Sequence, residues 1–197
     1  MNYLAHAYLS FNHPEILVGN MISDFVKGKK KFEFPAAILT GIELHRDIDS
    51  FTDEHPATKE AKKIFTPYYG LYSGAFVDVA YDYFLANDQR SFENHEALFA
   101  FSQKTYSDLD KMQSVFPEKF QMMFPYMKKY NWLYGYRDIT GIKRSFEGLV
   151  QRAAYLSDHE TAFKLFETNL AEIQLHYERF FPELKSFVLE KIEQLPE

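Results

Sequence analysis

The sequence predicts an all-α protein. Its apolar residues recur mostly at helical spacing, and no segment reads as a strand-turn-strand unit. Prolines stand where helical segments begin, and a cation or glycine follows where they end, which is the asymmetry expected of helices. The 8 glycines and 8 prolines are scattered, and no repeat or Ser/Gly linker divides the chain. We therefore expect a single compact helical domain over residues 1–197.

The helices are predicted in chain order from these signals. The first is expected to begin at Pro14 and run to Phe25, before Lys27-Gly28, and Pro35 opens the next, which runs towards Asp49. Ser73 is the expected N-cap of a helix that ends at Asn87. The C-terminal half predicts helices over residues 93–112, 117–130, 138–155 and 158–180, with a short one after Pro182.

Composition excludes several classes of function. The absence of cysteine excludes disulfides, thiolate metal sites and a cysteine nucleophile. A net charge of −6 argues against nucleic acid as a general partner. No apolar run approaches the roughly 20 residues that span a bilayer, so we expect no membrane insertion. The first residues lack the basic start and long apolar run of a signal peptide, and the expected location is the cytoplasm.

Polar residues recur at helical spacing on segments that are otherwise apolar. Residues four apart project from one face of a helix. Each set alone is compatible with a solvated face or a salt bridge, but three sets on neighbouring helices, with His6 nearby in sequence, favour a shared site. The sets are Asn20 with Asp24; His45 with Asp49 and Asp53; and Asp78 with Asp82.

The pair Asp78 and Asp82 lies on a strongly apolar segment. Two such carboxylates would repel each other and would be costly to bury without a partner, so a positive group is expected between them. That group is either a metal ion or an arginine such as Arg46 or Arg137. Imidazole and carboxylate ligands without cysteine suit Mn²⁺, Mg²⁺ or Fe²⁺ better than structural Zn²⁺.

One basic cluster stands out on this acidic chain, at Lys27-Gly28-Lys29-Lys30-Lys31. It is either a solvated loop or a docking patch for an acidic partner, because complementary charge speeds encounter and sets orientation. The common phosphate-binding glycine loops, the Gly-x-Ser-x-Gly elbow and the His-Glu-x-x-His zinc motif are all absent.

Five segments, in order over roughly residues 1–152, resemble the acyl carrier protein phosphodiesterases. They are Met1-Asn2-Tyr3-Leu4-Ala5-His6; Gly19-Asn20-Met21-Ile22-Ser23-Asp24-Phe25-Val26-Lys27-Gly28; Gly41-Ile42-Glu43-Leu44-His45-Arg46-Asp47-Ile48-Asp49-Ser50-Phe51-Thr52-Asp53; Val77-Asp78-Val79-Ala80-Tyr81-Asp82-Tyr83-Phe84-Leu85; and Trp132-Leu133 with Tyr136-Arg137-Asp138. Five ordered motifs are far more specific than any one of them.

The resemblance implies an activity that residue spacing cannot give. Members of the family hydrolyse the phosphodiester between 4′-phosphopantetheine and a serine of acyl carrier protein, which converts the holo form to the apo form. They are divalent-metal enzymes that favour manganese, and they are distant helical relatives of the HD-type phosphohydrolases. Acyl carrier protein is small and strongly acidic, which makes holo-acyl carrier protein a natural partner for the lysine cluster.

The resemblance implies different roles for the candidate residues, according to the chemistry that each side chain supplies. Arginine holds phosphate oxygens bidentately, and carboxylates or imidazoles bind the metal or act as bases. We expect metal ligation by His6, Asp24, His45, Asp78 and Asp82; catalytic roles for Asp24, His45, Asp49, Arg46 and Arg137; substrate or ligand contacts from Asn20, Lys29, Lys30 and Lys31; and supporting contacts from Asp53 to a histidine and from Asp138 to Arg137.

Two other functions remain open from the sequence. One keeps the metal site but takes a nucleotide or another small phosphoester as substrate. The other is a non-catalytic helical protein that binds a partner through its aromatic and basic surface. The recurring set of histidines and acids argues against the second, since a binding module has no need to gather them.

Overall fold

The computed structural model describes residues 1–194, and this part of the chain contains eleven α-helices and no β-strand. The all-α prediction is confirmed. No helix within these residues is both long and apolar enough to cross a membrane. The helices are α1 (Tyr3–Tyr8), α2 (Pro14–Ile22), α3 (Ala36–Glu54), α4 (Pro56–Tyr69), α5 (Ser73–Ala86), α6 (His95–Asp110), α7 (Glu118–Lys129), α8 (Trp132–Gly135), α9 (Ile139–Arg152), α10 (Glu160–Thr168) and α11 (Leu170–Glu193), with 3₁₀ turns at Ser23–Phe25, Gly28–Glu33, Gly70–Tyr72 and Gln113–Val115.

The N-terminal helices differ from the prediction mainly at their ends. α2 stops at Ile22, and the 3₁₀ turn Ser23–Phe25 completes the segment expected to reach Phe25. α3 continues beyond Asp49 to Glu54, so His45, Asp49 and Asp53 all lie on one helix. α5 begins at Ser73 and Tyr72 occupies its N-cap position, so Ser73 is the first helical residue and the N-cap prediction is wrong.

The predicted helices over residues 93–112, 117–130 and 138–155 are confirmed by α6, α7 and α9. The prediction of one helix over residues 158–180 and a separate short helix after Pro182 is wrong. The helical conformation is interrupted at Asn169, between α10 and α11. α11 then continues through Pro182 to Glu193. Proline inside a helix costs about 3 kcal/mol because it removes a backbone donor and crowds the preceding turn. Phe181 and Leu184, on either side of Pro182, are buried in the core. Their packing holds this turn of the helix in place.

Backbone-to-backbone packing of α2 on α3 fixes the position of the polar residues. A Cβ atom at Gly19 would lie 2.1 Å from the carbonyl oxygen of Ile38, and one at Gly41 would lie 2.2 Å from that of Ile16. Only glycine permits so close an approach. Asn20 directly follows Gly19, and His45 lies one turn beyond Gly41. The contact therefore brings these two residues together.

α5 lies at the centre of the molecule and packs against α1, α4, α9 and α11. Its apolar side chains join one continuous core that includes most of the aromatic residues. The rings of Phe65, Phe76 and Phe146 illustrate this packing, with centroids 5.1 to 6.3 Å apart. Stacked and edge-on ring pairs of this kind stabilise a core beyond the area they bury.

Candidate active site

Two histidines and one aspartate form the centre of the site. His6 on α1 and His45 on α3 stack with ring centroids 3.9 Å apart. The Nε2 atoms of both rings face Asp49, one turn beyond His45, at 3.3 Å for His6 and 3.1 Å for His45. Both imidazoles are buried, whereas the Asp49 side chain is 43% exposed. We call His6, His45 and Asp49 the histidine–aspartate cluster.

Asn20 orients both rings. Its side-chain oxygen lies 2.7 Å from His6 Nδ1, and its backbone oxygen lies 2.8 Å from His45 Nδ1. Its amide nitrogen donates to the His6 carbonyl and to the Ser10 hydroxyl. Because both oxygens of Asn20 are acceptors, each Nδ1 must carry a proton. Each Nε2 is thereby directed towards Asp49.

The protonation of His6 follows from its surroundings. Burial, together with the neighbouring His45, lowers the pKa of His6 to about 4, although Asp49 acts in the opposite direction. His6 is therefore neutral at pH 7, with its proton on Nδ1 and a lone pair on Nε2. That lone pair lies 3.2 Å from the Met1 carbonyl oxygen and 3.3 Å from Asp49 Oδ1. Three acceptors thus face one another, an arrangement that a cation would satisfy.

The pKa of His45 is shifted in the opposite direction from that of His6. Burial opposes its charged form, but hydrogen bonds from Nε2 to Asp24 and Asp49 outweigh burial and raise the pKa of His45 to about 9. Asp24 lies 3.2 Å from this Nε2 and is 65% exposed. The hydrogen bond from His45 lowers the pKa of Asp24. Asp24 is thus an ionised carboxylate at the open side of the cluster.

The donor set suits a metal ion. One ligand atom from each member of the histidine–aspartate cluster can be chosen so that all three lie within 4.8 Å of one another. Neutral imidazole nitrogen and carboxylate oxygen suit Mn²⁺ and Fe²⁺. Hydrogen bonds from Nδ1 to fixed acceptors, as Asn20 supplies here, are what usually orient histidine ligands.

Asp78 and Asp82 do not reach the two histidines. Asp78 lies 3.1 Å from the Met1 ammonium, which also lies 3.4 Å from Asp49. Both oxygens of Asp82 accept backbone N–H groups of α1, from Leu4 at 2.8 Å and from Ala5 at 3.2 Å. Burial raises the pKa of Asp82 to about 7. Asp82 thus anchors α1 against α5, and its carboxylate faces the backbone of α1 rather than the two histidines.

Two predicted helper residues have other partners. Asp53 binds Lys62 at 2.6 Å rather than a histidine, because it lies two turns beyond His45 on the solvent side of α3. Arg46 donates to the backbone oxygen of Val26 at 3.2 Å and pairs with no carboxylate in residues 1–194. The site acids are therefore balanced by His45 and the Met1 ammonium rather than by an arginine.

Arg137 contacts Asp138 at 2.5 Å, which confirms the expected contact between them. Its guanidinium also stacks on Tyr134 at 4.0 Å. The Arg137 backbone oxygen accepts a hydrogen bond from the Asn87 side chain at 3.2 Å. Within residues 1–194, Arg137 forms no hydrogen bond or ion pair with a member of the histidine–aspartate cluster.

The lysine cluster lies in the 3₁₀ turn Gly28–Glu33, a few residues after Asp24. Lys31 is held by Glu43 at 2.9 Å. Lys29 and Lys30 are exposed, and neither forms an ion pair within the described residues. Within the described residues, the unpaired positive charges of this turn are therefore those of Lys29 and Lys30.

A cavity missed by the sequence reasoning adjoins α1. Its volume is about 340 Å³, and Tyr3, Trp132, Tyr136, Arg144, Gly148 and Arg152 are among its lining residues. The spacing of Arg144, Gly148 and Arg152, four and eight residues apart, was the available signal, since it places them on one face of α9.

Similarity to known proteins accords with this geometry. The family model for acyl carrier protein phosphodiesterase matches residues 1–184. The chain is 30% identical over 193 residues to the acyl carrier protein phosphodiesterase of Photorhabdus laumondii, covering 98% of this chain and 96% of that protein. It is 30% identical to the Yersinia pestis protein of the same name, over 92% of this chain and 94% of that protein. No solved structure matches. The chain belongs to the acyl carrier protein phosphodiesterase family.

Proposed function

We propose that this protein hydrolyses the phosphodiester between 4′-phosphopantetheine and acyl carrier protein, using a divalent cation in the histidine–aspartate cluster. Family membership supports the reaction. One observation supports the cation: the lone pair of the neutral His6 Nε2 faces two further acceptors, the Met1 carbonyl oxygen at 3.2 Å and Asp49 Oδ1 at 3.3 Å, and donates to neither. Mn²⁺ is the favoured ion, with Mg²⁺ or Fe²⁺ as alternatives.

The cluster residues would hold this ion through His6 Nε2, His45 Nε2 and Asp49, with Asn20 fixing both rings. When bound, the ion would act as a Lewis acid towards the phosphate and lower the pKa of the attacking water. His45 must lose a proton first, since its Nε2 hydrogen bonds both Asp24 and Asp49 in the protonated ring. Ion binding and proton release are therefore coupled.

Asp24 is the residue we assign to proton transfer. It is ionised, exposed and 3.2 Å from His45, so an approaching phosphodiester would meet it first. In the reaction, the water oxygen bonds to phosphorus and the bond from phosphorus to the serine oxygen breaks. Asp24 takes up one water proton and passes it to the leaving serine oxygen, so Asp24 ends ionised again, and the other water proton stays on the new phosphomonoester. The phosphate stays on the pantetheine arm.

The exposed lysines next to Asp24 support an acidic protein substrate. Lys27, Lys29 and Lys30 lie on the segment that follows the 3₁₀ turn of Asp24. Positive potential beside the site would orient acyl carrier protein, an acidic partner, with its phosphodiester towards the cluster. The cytoplasmic location expected from the sequence stays a prediction.

Intact-mass spectrometry of holo-acyl carrier protein tests this function. Incubation with the protein and Mn²⁺ should remove the phosphopantetheine mass, and a chelator should prevent the loss. An unchanged mass with metal present would refute the proposal. In that case, metal-dependent hydrolysis of nucleotides or other small phosphoesters would point to the first alternative, and absence of both metal binding and hydrolysis would point to the binding protein.

A further inference from the structure

The cavity beside α1 has the features of a site for an organic ligand. It lies between the start of α1, the short helix α8 and one face of α9. At about 340 Å³, its volume is in the range of small-molecule sites. The rings of Tyr3 and Trp132, with centroids 6.4 Å apart, form part of its wall. We call this space the aromatic cavity.

Two arginines give the aromatic cavity a positive charge. Arg144 and Arg152 lie two turns apart on α9, and both line the cavity. Neither forms an ion pair with a carboxylate among residues 1–194, although the chain has more acids than bases. The only hydrogen bond of the Arg144 guanidinium in this part of the chain goes to the backbone oxygen of Thr140. Aromatic walls with two unpaired guanidinium groups suit a ligand with apolar, amide and anionic parts.

Tyr3 connects the aromatic cavity with the histidine–aspartate cluster. Tyr3 and His6 are three residues apart on α1, so they lie on neighbouring positions of its surface. Burial raises the pKa of Tyr3 to about 12; Asp24 adds to the rise and Arg152 opposes it. The charges of Asp24, beside the cluster, and of Arg152, in the cavity wall, thus both act on the Tyr3 hydroxyl. A ligand whose phosphate lay at the cluster could extend past Tyr3 into the cavity.

We propose that the aromatic cavity binds the pantetheine arm of the substrate, an inference that rests on the proposed function. The arm carries a dimethyl-substituted carbon and methylene groups, which suit the aromatic walls, and two amides, whose oxygens can accept from guanidinium groups. Cleavage of the bond from phosphorus to serine leaves the arm unchanged and its phosphate at the cluster. Arg144 and Arg152 would therefore hold the arm of the product as they hold that of the substrate, through its amide oxygens.

Gly148 offers a direct test. A Cβ atom there would meet nothing within 4 Å, so a side chain at this position would enter open space. Gly148→Phe should fill the aromatic cavity without displacing the backbone, and Arg152→Gln should remove one charge. We expect the dissociation constant for 4′-phosphopantetheine, measured by calorimetry with chelator present, to rise at least about tenfold in each variant. Binding of inorganic phosphate should not change in Gly148→Phe.

Matched variants and a second readout separate this inference from the proposed function. Gln151→Phe places the same ring at an exposed position of α9, and Lys164→Gln removes one exposed charge from α10; both should bind 4′-phosphopantetheine like the wild type. Thermal melting and Mn²⁺ affinity of Gly148→Phe should also match the wild type, which shows that the fold and the cluster are intact.

Two results would overturn the inference. One is a wild-type protein with no saturable binding of 4′-phosphopantetheine. The other is wild-type affinity, and a wild-type KM for holo-acyl carrier protein, in both Gly148→Phe and Arg152→Gln. If the wild type releases phosphopantetheine while these variants are unchanged, only the cavity assignment fails. If the wild type releases none, the proposed function fails, whatever the binding assay gives.

Discussion

Asn20 determines the chemistry of both histidines at the site. Its side-chain and backbone oxygens each take an Nδ1 proton, so both Nε2 atoms point to Asp49. The sequence predicted that Asn20 contacts a ligand or the substrate, and the structure places it on a candidate ligand, His6. The spacing of four between Asn20 and Asp24 could not reveal that His45 lies against the backbone of Asn20, because that contact depends on how α2 packs on α3.

The raised pKa of His45 predicts pH-dependent metal binding. His45 is protonated at pH 7 and must become neutral to bind a cation, so each binding event releases one proton. Affinity for Mn²⁺ should rise about tenfold per pH unit between pH 7 and 8.5, because the carboxylates Asp24 and Asp49 are already ionised there. Calorimetric titrations over this range would measure the slope. Affinity independent of pH would contradict the assignment of His45.

The raised pKa of His45 also predicts how the stability of the metal-free protein depends on pH. The folded state holds the His45 proton up to about pH 9, and the unfolded state loses it near 6.5. The His45 contribution is therefore fully present below pH 6.5 and is lost as the pH rises to 9. Denaturant unfolding with chelator present should show this fall, and His45→Gln should show a smaller one.

Asp24 should matter for turnover rather than for folding. Its side chain is 65% exposed, so Asp24→Ala leaves no cavity in the core. We expect the rate of holo-acyl carrier protein cleavage to fall about 10²–10⁴-fold, as for loss of a general acid or base. Asp47→Ala is the matched control, because Asp47 is also on the surface and pairs with Lys191. Wild-type turnover by Asp24→Ala would refute the role of Asp24.

Among the helices, α2 and α3 hold Asn20 against His45 because their backbones touch at two glycines, Gly19 and Gly41. Gly41→Ala would place a Cβ atom 2.2 Å from a backbone oxygen, which cannot give way as a flexible side chain can. We expect a loss of about 1–3 kcal/mol of unfolding free energy and weaker Mn²⁺ binding, as His45 moves away from Asn20. Gly148→Ala, where no atom lies within 4 Å, should retain or raise stability. Equal stability of the two variants would contradict this account.

Local signals predicted most helices but not every helix end. α4 had no counterpart in the prediction, because its lysines and Pro67 mask a narrow buried face that includes Ala61 and Phe65. The break at Asn169 and the passage of α11 through Pro182 depend on packing against other helices, which one segment cannot report. The contacts of Asp82 could not be predicted for a similar reason: its partners are backbone groups of α1, which carry no side-chain signature.

Over the whole molecule, charge is unevenly distributed: the turn that follows Asp24 carries exposed lysines although the chain is acidic. Lys31 is held by Glu43, so the docking prediction narrows to Lys29 and Lys30, the exposed lysines of that turn. Reversing both to Glu should raise KM for holo-acyl carrier protein roughly tenfold at low salt, with a smaller effect at high salt.

A small phosphodiester substrate should not respond to this change. The control reverses two other exposed lysines, Lys59 on α4 and Lys164 on α10, which gives the same net charge. If the control raises KM as much as the lysine-turn variant does, only net charge matters and no docking patch exists at this turn.

The position of the metal ion tests the central claim most directly. Anomalous diffraction from crystals soaked in Mn²⁺ should give one peak in contact with His6 Nε2, His45 Nε2 and Asp49, and His45→Gln should lose it. A peak bounded by other residues, or none at a concentration that supports cleavage of holo-acyl carrier protein, would show that the histidine–aspartate cluster is not the metal centre.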